Sequence, residues 1–157
     1  VDMGFCFSGY VTDKTQCFWA GSRSTLPDAA RAAFDLCCEV QSRAAESLVP
    51  GNSPSSIWRE ARERVLKTSF SNGFMGLGEN AVPFLGHGLG LAIDEHPVIA
   101  EGFDAPLEEG MVIALEPKIG IPGFGMVGLE DTFEVTKTGA RVLTRSTPEG
   151  QMIFLDN

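Results

Sequence analysis

Val1-Asp2-Met3-Gly4-Phe5-Cys6-Phe7-Ser8-Gly9-Tyr10-Val11-Thr12-Asp13-Lys14-Thr15 is the stretch on which the fold turns. Ser8-Gly9 is a turn signal, and the aromatic residues around it (Phe5, Phe7, Tyr10, then Phe18 and Trp19) suit a pleated surface. Residues 1–7 and 10–20 therefore read as the two strands of a hairpin. A two-residue turn places Asp2 opposite Thr15 and Gly4 opposite Asp13, all on one side of the ribbon. Asp2 and Asp13 are then diagonal neighbours, roughly 7 to 8 Å apart at Cα. Carboxylates so spaced can share two ions about 3.5 to 4 Å apart. Val1 opens the sequence in mid-strand, so the expectation is a piece of a longer chain.

Three further strings carry a polar residue in a background that reads as buried strand: Gly86-His87-Gly88-Leu89-Gly90-Leu91, Ile113-Ala114-Leu115-Glu116-Pro117 and Val127-Gly128-Leu129-Glu130-Asp131. One acidic residue in a strand is ordinarily an edge or turn residue, and one histidine a hydrogen-bonded core residue. The set of Asp2, Asp13, His87, Glu116 and Glu130 shifts that weighting, because burying four carboxylates is costly unless cations sit among them. Oxygen-rich ligation with a single imidazole suits two divalent ions, manganese or cobalt first and zinc or iron next, and no cysteine stands at a matching position. The glycines beside His87 are expected to let backbone approach a ligand closely.

Composition narrows the rest. At 157 residues with 43% hydrophobic content, residues 1–157 are expected to form one domain with a real core. The net charge is −9 and the 12 basic residues form no patch, which excludes nucleic acid as a partner. No run approaches the roughly 20 apolar residues of a spanning helix, so no membrane partner is expected. Cys6, Cys17, Cys37 and Cys38 make no Cys-x-x-Cys pair and read as reduced core residues, favouring a cytoplasmic address.

A helix is expected from Leu26-Pro27-Asp28 to Pro50-Gly51, burying Ala30, Ala33, Phe34, Cys37, Cys38, Ala44, Ala45 and Leu48, with Gln41 as its polar interruption. A second starts at Ser53-Pro54, turns Ile57, Trp58, Ala61, Val65 and Leu66 inward, and exposes the charges between Arg59 and Arg64. Strands are expected at 90–94, 111–116, 126–136 and 140–144. The class is α/β in the α+β sense: a mostly antiparallel sheet backed by two helices. Gly76-Leu77-Gly78-Glu79-Asn80-Ala81 imitates a dinucleotide fingerprint, but Pro83 falls where its helix would continue. No Ser-x-x-Lys or Gly-x-Ser-x-Gly string supports a serine nucleophile.

In these strings and their order the chain resembles the pita-bread metallopeptidases, the family of Xaa-Pro dipeptidase (prolidase), aminopeptidase P and methionine aminopeptidase, with the prolidase branch nearest. Asp13 follows Asp2 by 11 residues, Glu116 follows His87 by 29 and Glu130 follows Glu116 by 14, intervals usual for that branch. The resemblance runs from residue 1 to about 144 and implies a pita-bread fold with a curved sheet, of which this chain would be roughly the C-terminal two thirds. It further implies two metal ions held by Asp2, Asp13, His87, Glu116 and Glu130, with Asp13 and Glu130 bridging. In such a family the ions bring a shared water toward a pKa of about 7 for attack on a peptide carbonyl, and the carboxylate matching Glu116 handles its proton.

Three departures bear on substrate. The second histidine of the prolidase string is Asp94, and His96, two residues on, is expected to share a strand face with Asp94 and reach the cleft in its place. The usual arginine two before the final Glu is Gly128, and Lys118 and Gly120 stand where the family tends to carry Gly and Tyr. An additional histidine-bearing segment precedes the matching region in the family. The resemblance implies a peptide substrate and a homodimer. Two other readings stay open: a hydrolase or lyase of small amino-acid derivatives on the same scaffold, and a binding module without chemistry.

Overall fold

The computed structural model describes residues 1–144 and 152–155. Strands β1 (Asp2–Phe7) and β2 (Tyr10–Thr15) pair antiparallel with Asp2 opposite Thr15 and Gly4 opposite Asp13, the expected register. Ser8 and Gly9 take φ of 52° and 86°, and positive φ at both central positions gives a turn whose twist matches the strands it joins. The second strand does not run on to residue 20. It ends at Thr15, and a separate short strand, β3 (Phe18–Trp19), follows.

Helix α1 (Asp28–Glu46) buries Ala30, Ala33, Phe34, Cys37, Val40 and Ala44 at three- and four-residue spacing. Its regular part ends four residues before Pro50, although Leu48 is still fully buried. Gln41 lies within that buried face, where its Nε2 donates to the Leu115 carbonyl at 3.0 Å. A buried amide is tolerated only when hydrogen-bonded, so the polar interruption is a pin between helix and sheet. Helix α2 (Pro54–Leu66) starts as expected, with the Ser53 hydroxyl accepting from Ser56 N at 3.3 Å and Pro54 in the first turn. It buries Ile57, Trp58, Ala61 and Val65, whereas Leu66 at its last position turns away from that stripe into solvent.

Beyond the helices come β4 (Phe84–Gly88), β5 (Glu95–Ala100), β6 (Val112–Leu115), β7 (Lys118–Ile121), β8 (Gly125–Gly128), β9 (Asp131–Thr136), β10 (Gly139–Val142) and β11 (Ile153–Phe154). An antiparallel five-stranded sheet has the order β10-β9-β6-β4-β5; β7 pairs with β8, and β11 lies parallel to β3. Helix α1 packs on β7 and β8, and α2 on β5. Leu85, Ile99, Ile113, Leu115 and Ile119 are wholly buried between sheet and helices, each contributing on the order of 1.5–3 kcal/mol.

Two further expectations about strands fail. Residues 90–94 form bends, not a strand, and the chain is extended on either side of them, in β4 and β5. The run 126–136 is two strands broken at Leu129-Glu130. The glycines of β4 prove to serve strand packing: a Cβ on Gly86 would stand 2.0 Å from Ala114 O and one on Gly88 2.5 Å from His96 O. Both neighbours are backbone and cannot give way, so the sheet itself requires glycine there. The hairpin docks on this sheet through Glu130 N to Thr15 O (3.1 Å), the Thr132 hydroxyl to Asp13 O (2.8 Å) and Val11 N to Gly90 O (2.8 Å).

Candidate metal centre

Three elements distant in sequence bring Asp13, His87 and Glu130 together. Asp13 comes from β2, His87 from the middle of β4, and Glu130 from the break between β8 and β9, where the chain leaves one ribbon for the other. One ligand atom of each lies within 4.8 Å of the others, and the residues are only 8%, 6% and 3% exposed. The His87 Nδ1 is 3.1 Å from the Gly88 carbonyl. With the ring proton on Nδ1 donated to that carbonyl, the Nε2 lone pair faces Asp13 Oδ2 at 3.9 Å and Glu116 Oε1 at 3.7 Å.

Glu116 follows β6, its backbone N bonded to Leu85 O at 2.9 Å, and its half-buried carboxylate closes the cluster opposite Asp13. Asp2 stands at the exposed rim, lining a cleft with Thr15, Glu116 and Lys118. Of the five expected ligands, then, three form a compact buried group, a fourth touches its imidazole, and Asp2 approaches from the hairpin edge.

Electrostatics favour a cation here. Burial first, then the charges of Asp13 and Glu116, push the Glu130 carboxyl up to about 8, against a hydrogen bond from the Thr15 hydroxyl at 3.0 Å. Asp13 is raised too, by burial and then by Asp2 and Glu116, with the His87 imidazole opposing. Like charges brought together out of water disfavour their own ionisation unless positive charge is placed among them. Two lysines beside the group are each paired with a carboxylate: Lys118 Nζ with Glu116 Oε2, and Lys14 Nζ with Asp131 Oδ1 at 2.9 Å. Three carboxylates and one imidazole suit a borderline-hard divalent ion, so the residues present fit the group the resemblance implies.

Asp94 and His96 stand outside the ligand group. Asp94 lies in the bend before β5, its side chain 81% exposed and its Oδ1 3.6 Å from His87 Nδ1. His96 does not share a strand face with it, because β5 begins only at Glu95. The exposed His96 ring rests on Phe103, with centroids 5.7 Å apart. Thr15, Lys118 and Gln41 went unassigned by sequence reasoning. Strand alternation would have found Thr15, two residues from Asp13 on the same face, and Lys118, two from Glu116 along an extended segment.

Comparisons with known proteins identify the family and the fold. Residues 1–137 match the model of metallopeptidase family M24. The Xaa-Pro dipeptidase of Pyrococcus furiosus is 35% identical over 149 residues, covering 95% of this chain and 40% of that protein. Among solved structures, the prolidase from Pyrococcus furiosus superposes with a TM-score of 0.81 at 34% identity, covering 93% of this chain and 40% of its own. The X-Pro aminopeptidase from Thermotoga maritima gives 0.85 at 25% identity, with coverage of 98% and 40%. The fold is that of the pita-bread metallopeptidases, and the chain spans about 40% of the length of the relatives it matches. On both sequence and fold, this chain belongs to metallopeptidase family M24.

Proposed function

We infer that residues 1–157 form the metal-holding, catalytic-type domain of a peptidase that cleaves Xaa-Pro bonds, of the dipeptidase or aminopeptidase P type. The observation that carries this is the buried Asp13–His87–Glu130 group with Glu116 against its imidazole, in a chain of family M24. Asp2, Asp13, His87, Glu116 and Glu130 would hold two divalent ions, manganese or cobalt before zinc or iron. When bound, these ions would supply Lewis acidity, polarising the scissile carbonyl and acidifying water.

The remaining work falls to side chains. Glu116 takes at its carboxylate the proton that the attacking water gives up and passes it to the amine that leaves as the C–N bond breaks, in reach of the cleft that Thr15 and Lys118 line. Gly88 O holds the imidazole of His87 so that Nε2 faces the cluster, and Asp94, 3.6 Å from Nδ1, is assigned as a positioning residue that acts on His87 through its charge. His96, its ring tilted against Phe103, receives no part. A cytoplasmic address and a homodimer belong to the same proposal, the former supported by four cysteines of which none forms a disulfide. Among the described residues no helix is long and apolar enough to cross a membrane.

The test is turnover of Xaa-Pro dipeptides and longer Xaa-Pro peptides by the full-length protein after loading with Mn²⁺ or Co²⁺, alongside metal analysis of untreated protein. Hydrolysis with metal and none after chelation is expected. A metal-loaded protein inert to every peptide would move the reading to a hydrolase or lyase of small amino-acid derivatives, which the carboxylate of Asp94 beside His87 favours. A protein that takes up no metal would leave only a binding role.

A further inference from the structure

We propose that the ion pair Lys14–Asp131, with the Thr132 hydroxyl beside it, is a positioning clamp: it grips, from the reverse side, the two segments that carry Asp13 and Glu130, and so sets where Asp13 stands relative to Glu130 and His87. The proposal rests on the metal reading above and adds to it the residues that hold the ligand group in register.

The need for a clamp comes from the topology. Asp13 belongs to β2 of the two-stranded hairpin, whereas His87 lies in β4 of the five-stranded sheet and Glu130 directly precedes β9 of that sheet. Within one sheet a hydrogen-bond ladder fixes the register, but β2 and β9 belong to separate sheets and no ladder joins them. Discrete contacts do so instead. Glu130 N donates to Thr15 O at 3.1 Å, and the Thr132 hydroxyl donates to Asp13 O at 2.8 Å. These two contacts put Lys14 level with Asp131, and there Lys14 Nζ meets Asp131 Oδ1 at 2.9 Å. Alternation along β2 turns Lys14 away from the face of Asp13 and Thr15, the face on which the Thr15 hydroxyl donates to Glu130. The ion pair therefore sits directly behind two members of the buried group. Asp131 is itself anchored: the Thr144 hydroxyl donates to the same Oδ1 at 3.2 Å and accepts from Thr132 N at 2.9 Å.

Energetics indicate what the pair is for. The Lys14 side chain is 18% exposed and that of Asp131 2%. Attraction between charges so buried has to offset the hydration both have lost, and apolar residues of similar volume commonly stabilise a fold as well or better. An apolar pair cannot supply direction, however. Methyl and methylene groups in contact can slide, whereas an ammonium hydrogen-bonded to a carboxylate fixes a distance and an approach. Fixing register is the best-attested use of a buried polar pair, and here it falls one residue from Asp13 and one from Glu130.

The experiment compares full-length wild type, the double variant Lys14→Met/Asp131→Leu, Lys14→Arg and Thr132→Val. Mn²⁺ dissociation constants are read from free-ion electron paramagnetic resonance, and the stability of chelated protein from urea unfolding. The double variant removes one charge of each sign, so net charge is unchanged and altered affinity reports position. Its Mn²⁺ affinity is expected to fall by about tenfold or more, with a urea midpoint no lower than wild type, while Lys14→Arg keeps most of the affinity. A pair that served only the fold would lower the midpoint and leave the affinity of the folded protein unchanged, and that result overturns the proposal, as does a loss as large in Lys14→Arg as in the double variant. Should the double variant fail to fold, Thr132→Val decides: it keeps the charge and cuts the hydroxyl bond to Asp13 O, so several-fold weaker binding is expected and unchanged binding overturns the clamp. Wild type that takes up no Mn²⁺ would sink the metal reading and the clamp together, whereas tight binding by wild type and double variant alike would sink the clamp alone.

Discussion

Replacing Glu130 by Gln should make the metal-free protein more stable at neutral pH and remove its response to metal. In the folded chain this carboxyl titrates at about 8, against an ordinary value of 4.5. Its folded pKa is raised, so the folded state keeps a proton that the unfolded state releases. Stability is therefore lost as pH rises from 4.5 toward 8 and is fully lost above that window. At pH 7 the difference spans 2.5 units, or about 3 kcal/mol at roughly 1.4 kcal/mol per unit. At pH 5 it is less than about 1 kcal/mol. Gln keeps an acceptor for the Thr15 hydroxyl and carries no charge, so Glu130→Gln should gain about 3 kcal/mol over wild type at pH 7 and little at pH 5. Manganese at a hundred times its dissociation constant should add about 3 kcal/mol to wild type and far less to the variant. The assay is urea unfolding of chelated and Mn²⁺-loaded protein at both pH values. Glu130→Gln destabilising the chelated protein equally at pH 5 and pH 7 would refute the reasoning, because Glu130 would then be an ordinary structural acid.

Other expectations follow from the same geometry. Metal affinity should climb with pH up to about 8, since Glu130 must release its proton to act as a ligand; calorimetry in buffers of different ionisation heat should count that proton. Thr15→Val removes the hydrogen bond that opposes the raised Glu130 pKa, so Mn²⁺ affinity at pH 7 should fall several-fold; unchanged affinity would dismiss Thr15 as a partner. Gln41→Leu strips the 3.0 Å bond from the Leu115 carbonyl and should cost about 1–3 kcal/mol in urea unfolding, with Mn²⁺ binding weakened through the displaced Glu116 next to it. His96→Ala should leave Mn²⁺ affinity and kcat within about twofold, and a large loss of kcat would return His96 to the site.

The hairpin was legible to the register because two local signals agree: a turn at Ser8-Gly9 that tolerates positive φ at both residues, and side-chain alternation that leaves no slip unpunished. The pin at Gln41 was visible only as an anomaly, since its partner is a carbonyl 74 residues away. Strand β4 was legible only in part: Gly86-His87-Gly88 reads as buried strand by its setting, but glycine carries no strand propensity, and only the approach of Ala114 and His96 backbone explains Gly86 and Gly88. The misreading of His96 has the same root, for a strand drawn through 90–94 makes Asp94 and His96 co-facial, whereas the chain bends there. Strand β7 was missed because Lys118-Ile119-Gly120-Ile121 is short and follows a proline, with its partner β8 supplying the pairing. Ligand types and order could be read from the chain, but only the fold shows that Asp2 sits at the rim while Asp13, His87 and Glu130 lie buried together.

The claim that this buried group is a metal centre is tested most directly by titrating chelated protein with Mn²⁺ and reading free ion by electron paramagnetic resonance, in wild type, His87→Ala and Asp13→Asn. The account predicts saturable uptake of two ions per wild-type chain, with at least one lost in each variant while its circular dichroism stays unchanged. Uptake of no ion by wild type, or uptake undiminished in both variants, would contradict it.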